Sequence, residues 1–181
     1  KLLSAVKGKK IAVVGHMRPD GDCISSEFAM ADIIEQAGAA EVVCLNNNPV
    51  PYLYVNFAYG RTLVSAETFE DQSFEIVTVD CADYKRTNDA LVSRFKKPLA
   101  CVDHHVSNNP YAEINLIDVK SAATAELLAG MAYDIGLKIS KENANRLYMG
   151  TVMDTRQFTT SSTSKRTFEI ATRLISDGAD I

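Results

Sequence analysis

The sequence predicts an α/β protein with a mainly parallel sheet flanked by helices and a helical C-terminal half, and two observations carry that expectation. Short β-branched runs such as IAVV, EVVCL, EIVTV and LACV recur through the first part of the chain, too short for helices and apolar enough to be covered on both faces. Stretches with apolar residues three or four apart stand between and after them, as helices covering such a sheet require. At 181 residues and 46% hydrophobic, the chain can bury one substantial core, so one domain is expected.

The elements follow in order. KIAVVGH is the first strand, and SSEFAMADIIEQAG the helix after it, with Phe28, Ala31 and Ile34 on its apolar face and Gly38 at its end. EVVCLN is the next strand. The following NNNPVPYLYVNFAYG is too rich in Pro and Asn for a long helix and reads as an irregular connection. FEIVTVD and LACVDHH are two further buried strands separated by a helix over YKRTNDALVSRF, and AEINLID is a shorter alternating strand. Three helices then follow, over SAATAELLAGMAYDIG, SKENANRLYMGTVMDT and TSKRTFEIATRLISDG. With Lys at position 1 and a helix ending at Gly178, residues 1–181 read as one domain of a longer protein.

Charge and composition narrow the function. A formal charge of -4 offers no basic field for a long DNA duplex. The four cysteines show no CxxC spacing and read as reduced thiols. No apolar stretch approaches the roughly 20 residues of a membrane span. A cytoplasmic protein acting on small or short substrates, without a membrane partner, is expected.

Chemistry concentrates where the apolar runs end. IAVVGH delivers His16, EIVTVD delivers Asp80, and LACVDHH delivers Asp103, His104 and His105; Asp20 and Asp22 follow in the GHMRPDGD turn. In an open parallel sheet the ligand crevice lies outside the carboxyl ends of the strands, so these distant residues converge. Imidazole with carboxylate and no thiolate suits manganese and tolerates magnesium, cobalt or zinc. So many carboxylates, with no basic run beside them, favour two ions over one; ions about 3.5–4 Å apart share a carboxylate and clamp a phosphate against an activated water. Taken alone, PDGD is a common turn, with Asp22 capping a helix that begins near Ser25. Asp154, closing the LYMGTVM helix, sits at a negative dipole end where a cation partner makes sense. Cys23, Cys81 and Cys101 read as buried packing residues, and Tyr52, Tyr54 and Tyr59 as aromatics packed onto the sheet.

With these motifs placed, the sequence resembles the DHH phosphoesterase superfamily, in its oligoribonuclease (nanoRNase) and 3′-phosphoadenosine-5′-phosphate phosphatase branch. GHMRPDGDCISS, VTVDCAD, CVDHHVSNN and MGTVMDTRQFTTSSTSKRTFEIATRLISDGAD match its four motifs in order, and SAATAELL resembles the helix start between the last two. The resemblance implies a Rossmann-like DHH catalytic domain in which His16 and Asp20 bind one manganese ion, Asp22, His104 and Asp154 bind the other, and Asp80 bridges. It also implies that Asp103 orients the histidine pair and that His105 contacts the scissile phosphate and protonates the leaving oxygen. The sequence departs from the pattern in two places: Ile24, Ser25 and Ser26 stand where the family often has small glycine-serine pairs, and Arg156 stands where glycine is usual after DT.

The function so implied is a Mn2+-dependent hydrolase, with Mg2+ or Co2+ as substitutes, that cleaves short oligoribonucleotides and the 3′-phosphate of a nucleoside 3′,5′-bisphosphate (pAp). A smaller second domain of DHHA1 type, absent from this chain, would hold the nucleotide, and a homodimer is consistent with the resemblance. The alternatives are a cyclic dinucleotide phosphodiesterase, a pyrophosphatase-like enzyme of the same superfamily, or a non-catalytic metal- or nucleotide-binding module.

Overall fold

In the computed structural model, which describes residues 1–180, six parallel strands form one sheet in the order β3-β2-β1-β4-β5-β6. They are β1 (Lys10–Val14), β2 (Glu41–Asn46), β3 (Leu63–Ser65), β4 (Phe74–Val79), β5 (Ala100–Asp103) and β6 (Ile114–Ile117). The order reverses between β1 and β4, which makes the gap beyond their carboxyl ends the topological switch point. The expected α/β class is borne out, and the sheet is parallel throughout.

Alternation along β1 divides the core. Ile11 and Val13 point into one hydrophobic layer with Phe28, Ile34, Leu128, Leu147 and Leu174, whereas Ala12 and Val14 point into the other with Leu45, Ile76, Leu91 and Phe95. The first layer is built by α2 (Gly21–Gln36), α4 (Thr124–Asp134), α5 (Lys141–Asp154) and α6 (Lys165–Ser176); the second is closed by α3 (Asp89–Arg94). Each fully buried Leu, Ile or Phe contributes roughly 1.5–3 kcal/mol relative to exposure.

Several boundaries differ from the sequence reading. A short helix, α1 (Leu2–Val6), buries Leu2 and Val6 beneath the first layer, and β3 adds a three-residue edge strand just beyond the stretch read as irregular. The YKRTNDALVSRF stretch is a 3-10 turn over Tyr84–Arg86 followed by the short α3, because Asp83 and Asn88 each cap a separate start. The connection after β2 holds another 3-10 turn, Tyr52–Phe57, whose Tyr52 is 92% exposed, so that side chain does not pack on the sheet as expected. None of the described helices is long and apolar enough to cross a membrane.

Candidate metal centre

Helix α2 starts four residues earlier than the sequence suggested, and that shift decides the roles of the two turn aspartates. Asp20, rather than Asp22, is its N-cap: Asp20 Oδ1 accepts from the Cys23 N–H at 3.0 Å while Oδ2 faces His16 Nε2 at 3.9 Å. Asp22 lies inside the first turn and is buried. Its oxygens accept the N–H groups of Thr124 (2.7 Å) and Ala125 (2.9 Å) at the start of α4, and Ser26 Oγ donates to it at 3.2 Å. A buried carboxylate thus satisfies donors that a helix start cannot satisfy itself.

The strand ends deliver the rest. His16 follows β1, with Nε2 3.7 Å from Asp80 Oδ2. Asp80 follows β4 in the left-handed region (φ 50°), a strained conformation for a residue with a side chain, and Thr124 Oγ1 donates to it at 3.0 Å. Past β5, His104 Nε2 lies 3.2 Å from Asp154 Oδ2, 3.8 Å from Asp80 Oδ1 and 4.0 Å from Asp22 Oδ2. Its Nδ1 meets the Ser121 carbonyl at 3.2 Å. Asp103 therefore does not orient both histidines: it pairs with His105 Nδ1 at 2.7 Å and accepts from Asn108 Nδ2 at 2.6 Å. The two rings are 4.6 Å apart and inclined by 60°.

All eight residues singled out in the sequence meet in this crevice. Asp80, His104 and His105 converge within 4.8 Å, as do Asp22, His104 and Asp154, and as do His16, Cys23 and Asp80. The last group contains Cys23, which sequence reasoning set aside; burial, then the neighbouring acids, push its thiol up and favour the protonated form. Sequence reasoning also missed Thr124, Ser121 and Asn108, which aim the acids and histidines. A further network lies beneath: Glu27 Oε2 accepts from the Gly15 N–H (3.2 Å) and from Asn46 Nδ2 (3.4 Å), and Asn46 also donates to the His16 carbonyl (3.2 Å). A Cβ at Gly15 would overlap Cys23 Sγ, so only glycine admits this approach.

The electrostatics of the donor set suit divalent cations. Burial, reinforced by Asp80 and Asp154, raises the Asp22 carboxyl well above its ordinary range despite the two N–H groups on it. Burial with Asp20 and Asp103 does the same to Asp80, and burial raises Asp154 against the opposing pull of His104. Among the described residues no Lys or Arg forms an ion pair with these acids. Two donors each about 2.1 Å from one ion stand roughly 3–3.5 Å apart, close to the separations here. Asp103 differs: burial opposes its ionisation, but the bonds from His105 and Asn108 outweigh it and hold the carboxyl low. That bond in turn raises His105.

A doubly wound parallel sheet with a histidine–aspartate centre beyond its carboxyl ends defines a class, the α/β domains built around a candidate divalent-metal site. The family model for the DHH family, N-terminal domain, matches residues 10–151, and the chain belongs to that family. It is 29% identical over 95% of its length to the "Bifunctional oligoribonuclease and PAP phosphatase NrnA" of Mycoplasma genitalium, covering 54% of that protein. It is 25% identical over 91% of its length to a "Probable manganese-dependent inorganic pyrophosphatase" of Staphylococcus saprophyticus, covering 54% of it. An exopolyphosphatase-related protein from Bacteroides fragilis shares the fold, with a TM-score of 0.82 and 23% identity over 96% of this chain and 54% of that one. The chain spans about half the length of the curated relatives it matches.

Proposed function

We propose that this domain is the metal-binding half of a manganese-dependent phosphoesterase that hydrolyses short oligoribonucleotides and removes the 3′-phosphate of nucleoside 3′,5′-bisphosphates. The observation that carries the reading is the position of Asp80, whose Oδ2 faces His16 and whose Oδ1 faces His104, so that one carboxylate serves both groups of donors. The similarity to the oligoribonuclease and PAP phosphatase relatives supports the substrate class.

In this reading His16, Asp20 and Asp80 hold one ion and Asp22, His104, Asp154 and Asp80 the other. A bound manganese pair supplies Lewis acidity toward phosphoryl oxygens and makes a water nucleophilic at neutral pH. The Ser121 carbonyl on His104 Nδ1 and the N–H groups on Asp22 fix which atoms face the crevice. His105, about a third exposed, is the mobile-proton group. Its bond to ionised Asp103 favours the protonated ring, and the free Nε2 can give a proton to the oxygen that leaves phosphorus.

The test is incubation with Mn2+ and, in parallel, a diribonucleotide, pAp, a cyclic dinucleotide and pyrophosphate, with products followed by chromatography. Metal-dependent release of mononucleotides and of phosphate from pAp is expected. Binding of Mn2+ with no cleavage of the dinucleotide or pAp would overturn the reading in favour of a binding module, and cleavage of pyrophosphate alone would reassign the substrate.

A further inference from the structure

No Lys or Arg side chain pairs with the acids of the centre, and three arginines without an ion pair among the described residues lie on the segments that carry or follow its residues. Arg61, Arg94, Arg146 and Arg166 are committed to acids elsewhere, and Arg173 lies 3.6 Å over the Tyr133 ring. The remaining three lie close in sequence to site residues: Arg18 between His16 and Asp20, Arg86 on the 3-10 turn six residues after Asp80, and Arg156 two residues after Asp154. All three are exposed.

Arg86 is distinguished by where its turn is fixed. The Arg86 carbonyl accepts the Met17 N–H at 2.7 Å, tying the turn to the loop that carries His16 and Asp20. Tyr84 anchors the other side, stacked on Tyr111 at 5.6 Å and donating to the Phe95 carbonyl at 2.6 Å, and Thr87 is buried. The backbone is therefore held while Lys85 and Arg86 project into solvent, neither in an ion pair. The Arg86 guanidinium lies within electrostatic reach of the His105 ring. Lys85 lines a polar crevice of about 280 Å³ with Ser107 and Asn109, just beyond His105 in the chain; the Asp83 carboxylate at its edge is engaged with the Lys85 N–H at 3.0 Å.

We propose that the Lys85–Arg86 turn is the subsite for a second phosphate, one that the enzyme recognises but does not hydrolyse, and that Arg86 makes the enzyme specific for nucleotides carrying it. The inference rests on the phosphoesterase reading above. A substrate held through one phosphate in the acidic centre must bring any other anion past five carboxylates, and this turn offers it a guanidinium and an ammonium on a fixed backbone, the ammonium beside the hydroxyl and amide of Ser107 and Asn109. The substrate class is a nucleoside bisphosphate or an oligonucleotide with a terminal 5′-phosphate.

The experiment compares the diribonucleotides pApA and ApA, which share the scissile bond and differ only in the second phosphate, with the unaltered protein, Arg86→Gln and Arg86→Lys in Mn2+. A charge-assisted contact predicts that Arg86→Gln lowers kcat/KM for pApA by about 10- to 100-fold, mainly through KM, and changes ApA less than about twofold. Arg86→Lys should recover part of the loss. Equal losses on both substrates would place Arg86 at the scissile phosphate and overturn the proposal, as would no loss on either. Lys85→Gln, read the same way, replaces Arg86→Gln should that variant unfold. If the unaltered protein cleaves neither dinucleotide, the phosphoesterase reading itself has failed, a result separate from any effect of Arg86.

Discussion

Asp20 and Asp22 are two residues apart, yet they belong to two differently built halves of the centre. Asp20 is largely exposed and caps its own helix, so the half it shares with His16 is made within one loop. Asp22 is buried and joins α2 to the start of α4, while His104 and Asp154 come from β5 and α5, so the other half exists only when distant elements pack. One half is local, with Asp20 open to water; the other is tertiary, with Asp22 buried at its base. A variant in the first should disturb ligation, and a variant in the second should disturb ligation and fold together.

The largest effect should fall where the halves meet. Asp80→Asn keeps the acceptor for Thr124 but removes the charge shared by His16 and His104. Turnover should fall by at least about 1000-fold, the several kcal/mol that metal-assisted catalysis supplies. Without metal the same variant should melt higher than the unaltered protein, because it relieves a buried carboxylate crowded by Asp20 and Asp103. Calorimetry in EDTA and in Mn2+ checks both signs, and a lower melting temperature in EDTA would contradict the charge-crowding argument.

The next effect separates the halves. Asp22→Ala leaves two N–H groups at the α4 start without a partner in a buried place and should cost about 2–3 kcal/mol, whereas Asp20→Ala removes an N-cap and should cost about 1 kcal/mol. Urea unfolding of both variants in EDTA measures the gap. Equal losses would dissolve the distinction between a local and a tertiary half.

How much of this could be read from the chain follows the same division. The local half was legible: an apolar run ending in His16 and a turn with two acids announced themselves, as did the strand ends at Asp80 and Asp103, because parallel strands covered on both faces leave unbroken apolar runs. The choice between Asp20 and Asp22 as cap was not, since either acid in PDGD can begin a helix and only contact with α4 decides. Thr124, Ser121 and the Glu27–Asn46 pair leave no periodic trace because their partners lie far along the chain. The edge strand β3 and the five-residue α1 were missed because neither is long enough to show a period. Tyr52 was misread because an aromatic in a Pro-rich turn looks alike whether it packs or projects.

A third prediction tests the floor beneath the local half. Burial raises the Glu27 carboxyl well above the carboxylate range, against the bonds from Asn46 and Gly15. A group raised in the folded state contributes its full stability below its unfolded value, near 4.3, and that contribution is lost as pH climbs toward the folded value. Glu27→Gln stays neutral at every pH, so its melting temperature in EDTA should gain on the unaltered protein between pH 5 and pH 8. A constant difference across that range would mean Glu27 is as easily ionised in the fold as out of it.

The smallest effect concerns the backbone that follows Asp154. Arg18 and Asp80 are left-handed, and so are Arg156, Gln157 and Phe158 in succession; among the described non-glycine residues with positive φ, only Tyr59 lies away from the loops that carry or follow site residues. The turn after α5 is held despite this by the Gln157 N–H on the Val152 carbonyl (2.8 Å), the Phe158 N–H on Thr155 Oγ1 (3.0 Å) and the tilted Phe158–Phe168 pair at 5.3 Å. A left-handed residue with a side chain carries about 1–2 kcal/mol of steric penalty, and glycine would remove it while adding about 0.4–1 kcal/mol of chain entropy to the unfolded state. Arg156→Gly should therefore stabilise the domain by about 0.5–1 kcal/mol, read as a rise of a few degrees in melting temperature. A loss instead would show that the Arg156 side chain makes an interaction stronger than the strain it imposes, and would move that arginine from the exposed rim into the tertiary half of the centre.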